Sequence, residues 1–238
     1  MNKEEIIKIF YKEKNYSKIK EILIENQNSW SFNILGKIAL QEKKIEKAQE
    51  YFELSCNFLG LAYCYFYKNE IKKAQEMSFI IKNQSSASCW LNSICNLLLS
   101  KKEEPPSYMQ IRNFFEQDLE MAFFYENKNL IEKLLENSPN LQIINGEVNK
   151  FCGRVLLHNN EDFMAEIYLK RSLNTFYQDP ETHFLLGETY EKQGFIQEAI
   201  ASYNRVIGIN KSYYPAIVKI NLLTNWLYNL YYCVKYII

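Results

Sequence analysis

The sequence predicts an all-α protein, a solenoid of helix–turn–helix repeats that wind into a right-handed superhelix. Three observations lead to this fold class. Only seven Gly and five Pro occur in 238 residues, which argues against a loop-rich or all-β protein. No segment alternates polar and apolar residues with period two over the length of a convincing strand. Small and large residues recur together at fixed distances, which is the signature of an internal repeat.

The repeat consists of a glycine, an alanine twelve residues later and a large apolar residue sixteen residues later. It occurs at Gly36, Ala48 and Phe52, at Gly153, Ala165 and Leu169, and at Gly187, Ala199 and Tyr203. Ala62 and Ala74 keep the first interval. Two antiparallel helices approach closely only where their side chains are small, and we expect the large residue to fill the space between repeats.

In chain order the predicted helix pairs span 2–26, 29–54, 56–83, 87–115, 116–137, 143–176 and 180–210, followed by a partial repeat from 214. Pro105–Pro106 in "KKEEPP" forbid a continuous helix, so a loop splits the fourth pair. "NSPN" at 137–140 is a second break. Asp179 and the proline after it begin the seventh pair as a cap and first turn, and Gly194 ends its first helix. We treat residues 1–238 as a single domain.

The carboxyl-terminal stretch "INLLTNWLYNLYYCVKYII", 220–238, has one charge, Lys235, and nearly the length of a membrane span. Its asparagines form a polar stripe at Asn221, Asn225 and Asn229. Because lipid disfavours such a stripe, we expect no membrane span but the first helix of another repeat. Its second helix would place a small residue at Cys233. We expect exposed aromatic side chains there, favouring self-association: Trp226, Tyr228, Tyr231 and Tyr232.

Charge and composition exclude several classes of function. Twenty-eight basic residues balance twenty-eight acidic ones, so we expect no direct nucleic-acid partner. Six Cys lie in apolar helical patterns without a C-x-x-C, and only two His occur, so no metal site is expected. Phosphate-binding and hydrolase motifs are absent, and the sequence predicts no enzyme and no cofactor. "MNKEEIIKIF" is not a secretory signal, so we expect an intracellular protein.

The period of about thirty-four residues and its small residues resemble the tetratricopeptide repeat. The order of segments, from "FYKEKNYSKIKEIL" through "ILGKIALQEKKIEKAQEYF" and "GLAYCYFYKNEIKKA" to "FLLGETYEKQGFIQEAIASYNRVI", is similar to the amino-terminal half of the large tetratricopeptide subunit of the RNA polymerase II-associated factor (Paf) complex. This resemblance implies a nuclear, non-catalytic transcription-elongation scaffold within a multi-subunit complex. The alternatives are an anaphase-promoting-complex-type scaffold, a cytoplasmic bacterial adaptor, a membrane-associated assembly factor and, more remotely, a prenyltransferase-type α subunit.

In such repeats the first helices line a concave face, where partners bind. Helical spacing predicts an apolar groove there, lined by Leu59, Tyr63, Phe66, Leu91, Cys95, Leu98, Leu119 and Phe123. Lys150 and Arg154, four residues apart, would form its basic end. We expect a peptide partner, extended or helical, with aromatic or acidic residues. The alternative is that the shortened repeats wind tightly and these side chains belong to the core.

Overall fold

A computed structural model describes residues 3–24, 28–82, 84–101, 105–141 and 145–237, with the backbone alone for 3, 4, 24, 145 and 226–237. These residues form two compact units. Unit 1 consists of 1–110 and 121–134, and unit 2 of 111–120 and 135–238. The described residues contain helices and no strand, so the predicted all-α solenoid is confirmed.

The helices follow one another in chain order as α1 (Lys3–Lys12), α2 (Tyr16–Ile24), α3 (Ser29–Gln41), α4 (Ile45–Leu54), α5 (Phe58–Tyr67), α6 (Ile71–Ile80), α7 (Ser86–Leu98), α8 (Tyr108–Gln110), α9 (Glu116–Phe124), α10 (Lys128–Asn137), α11 (Asn145–His158), α12 (Asp162–Thr175), α13 (Pro180–Gln193), α14 (Ile196–Ile209) and α15 (Tyr214–Ile237). A π-helical turn, Ile111–Phe115, connects α8 to α9, and a 3-10 turn, Ser138–Asn140, follows α10.

Seven turns after a first helix share one backbone feature, a residue with positive φ. These residues are Lys14, Lys43, Asn69, Ser100, Glu126, Asn160 and Gly194, with φ between 54° and 81°. In four pairs this residue comes seven positions after the small residue, at Gly36, Ala62, Gly153 and Gly187. The same count places Ile7 and Leu119 at the small-residue position of the first and fifth pairs, and both are buried. The position of this turn therefore identifies the helix-crossing position even in pairs that have a large residue there.

The glycines make direct room for the large residue sixteen positions later. A Cβ atom on Gly187 would lie 2.5 Å from the ring of Tyr203, and one on Gly153 would lie 2.6 Å from Leu169. Phe52 contacts two glycines, since a Cβ atom on Gly36 of its own pair or on Gly60 of the next would lie 2.6 Å from its ring. The large residue therefore packs mainly against the glycine of its own pair. Phe52 also packs against the next pair.

Two predicted boundaries are wrong. The fourth pair was expected to end at residue 115, but α8, the π-helical turn and α9 follow one another without an intervening loop. The carboxyl-terminal segment was expected to turn before a second helix containing Cys233, but α15 continues to Ile237. The repeat register places that turn at residue 228, a tyrosine, and a bulky aromatic residue is unfavourable in the left-handed conformation. The predicted exposure of aromatic side chains beyond residue 225 lies outside the described side chains.

Candidate functional site

The predicted apolar groove is wrong for several of its residues. Phe66, Leu91 and Leu119 have 0% of their surface exposed, and so has Cys95, so a partner could not contact them. Leu119 is buried because it takes the register position of Gly153 and Gly187, where the two helices of a pair cross. The remaining groove residues are only partly buried, and for them the groove stays a prediction: Leu59, Tyr63, Leu98 and Phe123.

In unit 1 the turn between α9 and α10 covers the carboxyl ends of two first helices. The hydroxyl of Tyr125 donates a hydrogen bond to the Leu40 carbonyl in α3 (2.8 Å). The side-chain amide of Asn127 donates to the Tyr67 carbonyl in α5 (2.8 Å), and the Tyr67 and Tyr125 rings lie 5.3 Å apart. A helix end exposes carbonyls that need donors, and here the chain itself supplies them. This part of unit 1 is therefore already occupied by the chain's own side chains.

In unit 2 the two cations predicted as a free basic end are engaged in ion pairs. The ammonium of Lys150 lies 3.0 Å from the Asp179 carboxylate and 3.1 Å from that of Glu181. The guanidinium of Arg154 lies 2.8 Å from Glu181 and 3.3 Å from Glu116. Helical spacing correctly predicts that both cations lie on one helix. It does not predict that carboxylates of α9, of α13 and of the residue before α13 lie against them. The prediction of a basic end is therefore wrong.

The charge states follow from burial and these contacts. Burial would lower the pKa of Lys150, but its bonds to Asp179 and Glu181 more than offset this and raise it. Burial would raise the pKa of Asp179, but hydrogen bonds from Thr182 and Lys150 lower it. Glu116 differs, because burial raises its pKa, Glu120 and Glu181 add to this effect, and Arg154 only partly opposes it. Lys150 and Asp179 thus stay charged. For Glu116, the positive charge of Arg154 does not fully offset the effect of burial.

Further charged side chains continue this surface along α11, α13 and α15. Lys219 of α15 lies 2.9 Å from the carboxylate of Glu191 and 3.9 Å from that of Glu188. His158 lies 3.9 Å from Glu120. We call this surface the unit 2 polar face; its residues are Glu116, Glu120, Lys150, Arg154, His158, Asp179, Glu181, Glu188, Glu191 and Lys219.

The unit 2 polar face includes an open cavity of about 400 Å³, lined by Leu157, His158, Glu188, Glu191, Lys192 and Lys219. Burial raises the pKa of Glu188, Glu191 adds to this effect, and Lys219 opposes it. The cavity therefore holds a carboxylate that its surroundings do not fully stabilise. Within the described part of the chain, no group of His, Cys, Asp and Glu side chains is placed to hold a metal ion. In that same part no helix combines the length and apolarity needed to cross a membrane.

The fold defines an all-α protein of stacked helical pairs, and a comparison with family models identifies two of its repeats. Residues 31–58 and 180–213 match the model described as tetratricopeptide repeat. The first segment contains most of α3 and all of α4, and the second contains α13 and α14. The two matched segments are therefore similar to tetratricopeptide repeats, in agreement with the spacing of their small and large residues.

Several solved structures are similar to the chain. One is TTC0263, a thermophilic TPR protein in Thermus thermophilus, with 18% identity, TM-score 0.37, and 82% of this chain and 98% of that chain covered. Another is YrrB, a TPR protein with an unusual peptide-binding site, with 12% identity, TM-score 0.37, and coverages of 84% and 95%. A third is the P58(IPK) TPR domain, with 10% identity, TM-score 0.40, and coverages of 95% and 65%. No curated protein sequence matches the chain.

Proposed function

We propose that the protein is a non-catalytic scaffold that binds a polypeptide partner on the unit 2 polar face. Tetratricopeptide repeats generally bind partners with their first helices, and the match at residues 180–213 supports this class of function. The observation that carries the choice of face is the contrast between the units. The α9–α10 turn covers the ends of α3 and α5 in unit 1. The polar face of unit 2 keeps an open cavity with charged walls.

Quantitative affinity capture from the native cell, followed by mass spectrometry, tests this proposal. The wild-type protein is compared with a double variant that removes two cavity-lining side chains, His158→Ala with Glu188→Ala. A matched control, Glu198→Ala with Asn204→Ala, alters exposed residues of α14, the second helix of the same pair. We expect the cavity variant to lose at least about fivefold of its partner, because the few side chains whose truncation costs more than about 1 kcal/mol cluster near the centre of an interface. The control should lose none.

Circular dichroism and thermal melting of both variants show whether they remain folded. A partner captured equally by the wild type, the cavity variant and the control would contradict binding on this face. In that case the partly buried residues Leu59, Tyr63 and Phe123 of the predicted groove become the surface to test.

The finer proposal is a transcription-elongation scaffold of the Paf-complex type, present in the nucleus. Its support is the resemblance in the order of segments and in the place of the loop "LLSKKEEPPSYMQI". The same capture experiment tests it. Recovery of RNA polymerase II-associated subunits is the expected result. Ubiquitin-ligase subunits would instead favour the anaphase-promoting-complex-type scaffold. Envelope proteins would favour the membrane-associated assembly factor.

A further inference from the structure

The unit 2 polar face contains more negative than positive charge. With Lys192 of its cavity, the permanent cations of the face are Lys150, Arg154, Lys192 and Lys219, and its six carboxylates are Glu116, Glu120, Asp179, Glu181, Glu188 and Glu191. The whole chain is neutral, with 28 residues of each sign. The excess is therefore a local property of this face.

For two of the carboxylates, the only basic side chains within 4 Å among the described residues lie close to that limit. Glu188 reaches Lys219 only at 3.9 Å, and Lys219 is held closer by Glu191 at 2.9 Å. The nearest basic side chain to Glu120 is His158, also at 3.9 Å. Because Glu120 and Glu188 are 49% and 33% exposed, both are accessible to a partner from solvent.

Lys192 lines the cavity, but of the groups that act on Glu188 it opposes the rise in the pKa of that carboxyl least. Its ammonium donates to the Leu157 carbonyl at 2.7 Å and to the Asn160 side chain at 3.1 Å. It also lies 3.8 Å from Asp162 at the start of α12. Lys192 therefore connects the α11–α12 turn to α13, and its close contacts are with that turn.

We propose that the unit 2 polar face binds a partner segment rich in lysine or arginine, in contact with Glu120 and Glu188. The inference rests on the proposed function and specifies its partner. Charge complementarity selects this occupant, because a cationic side chain of the partner can approach these two carboxylates more closely than the 3.9 Å of His158 and Lys219. Arginine and lysine form stronger hydrogen bonds with carboxylates than neutral groups do. The partner is thus opposite in charge to the acidic segment expected from sequence.

Fluorescence anisotropy with two labelled twelve-residue peptides tests this inference. One peptide alternates arginine or lysine with leucine, and the other has glutamate at every basic position. The binding variant is Glu120→Gln with Glu188→Gln. The control is Glu50→Gln with Glu198→Gln, which removes the same charge from exposed positions of the second helices α4 and α14. Near-identical melting temperatures establish that both variants are folded.

We expect the basic peptide to bind at least tenfold more tightly than the acidic one, with an affinity that falls as salt rises. The binding variant should weaken it about fivefold or more, and the control less than twofold. Equal weakening by both variants would show non-specific attraction and overturn the inference. Preference for the acidic peptide, or no binding of either, would also overturn it. The proposed function fails separately, when affinity capture shows no partner on this face.

Discussion

Gly187 occupies a position in α13 where a methyl group has no room. A Cβ atom there would lie 2.5 Å from Tyr203, which is completely buried. We expect Gly187→Ala to lower the free energy of unfolding by about 1–3 kcal/mol, because overpacking displaces the ring or the helix. Urea denaturation followed by circular dichroism measures this difference.

The matched control is Gly208→Ala in α14, since a Cβ atom on Gly208 meets nothing within 4 Å. There the higher helix propensity of alanine should raise the free energy of unfolding by up to about 1 kcal/mol. Equal effects at the two glycines would show that helix propensity, rather than the Tyr203 contact, accounts for Gly187.

His183 makes the stability of the fold depend on pH. Its side chain is buried, and its Nε2 donates to the Tyr177 carbonyl (2.8 Å). Burial lowers the pKa of His183, with nearby Asp179 only partly opposing this effect. The unfolded chain, with an ordinary pKa of about 6.5, therefore takes up the proton first. Stability is complete above this pH and declines as the pH falls toward the lower pKa of the folded state.

We expect the free energy of unfolding to decrease between pH 7.5 and pH 5.5, and His183→Gln to reduce that decrease. The chain's other histidine, His158, is 59% exposed, so His158→Gln serves as the control. Glu116 and Glu188, whose pKa values burial raises, change stability in the opposite direction, but they are present in every variant. A pH dependence identical in wild type and His183→Gln would contradict this role.

At the scale of the helical pair, the turn residues differ in how well they suit their conformation. Lys14 has φ 54° and Gly194 has φ 81°. A left-handed conformation costs a non-glycine residue about 1–2 kcal/mol. We therefore expect Lys14→Gly to stabilise the protein by up to about 1 kcal/mol, and Gly194→Ala to destabilise it by about 1 kcal/mol. A Cβ atom on Gly194 meets nothing within 4 Å, so backbone strain alone would be measured.

Urea denaturation of the two turn variants gives both values. A loss of stability in Lys14→Gly would show that the turn tolerates lysine without strain, and would contradict the proposed cause.

The helical pairs could be predicted because their determinants lie within sixteen residues of one another, as Gly187 and Tyr203 do. The proposed binding face could not be predicted, because the contacts that distinguish the two units join residues that are far apart in sequence. In unit 1, Tyr125 donates a hydrogen bond to a backbone carbonyl 85 residues earlier in the chain. In unit 2, Arg154 contacts Glu116, which lies 38 residues earlier. Helical spacing predicts that Arg154 lies on the same face of α11 as Lys150. It does not predict which carboxylates form ion pairs with it. The left-handed residue Glu126, seven positions after Leu119, places Leu119 in the core, but this conformation is seen only in the structure.

For the whole molecule, the exposed side of α15 predicts self-association. Ala216 and Leu223 are buried against a cluster that includes Tyr203 and Val206, whereas Leu222 is 62% exposed. Removal of residues 224–238 keeps Ala216 and Leu223, so we expect the truncated protein to remain folded. We expect it to be monomeric where the full chain associates, because the apolar segment that follows Leu223 is missing.

Sedimentation velocity of the full and truncated proteins measures this difference, and vesicle flotation provides the second readout. We expect membrane partitioning to be unchanged by the truncation. A truncated protein that leaves membranes to which the full chain binds would reverse the interpretation of this segment.

The position of Phe52 between Gly36 and Gly60 has a consequence for cooperativity. One ring belongs both to the internal packing of its own pair and to the boundary with the next, because each glycine lies directly against it. In a linear array, the free energy is a sum of unit terms and nearest-neighbour terms. Here one side chain contributes to both terms, so the second pair cannot reach its full stability while α5 is unfolded. Unfolding should therefore spread across this boundary rather than stop at it.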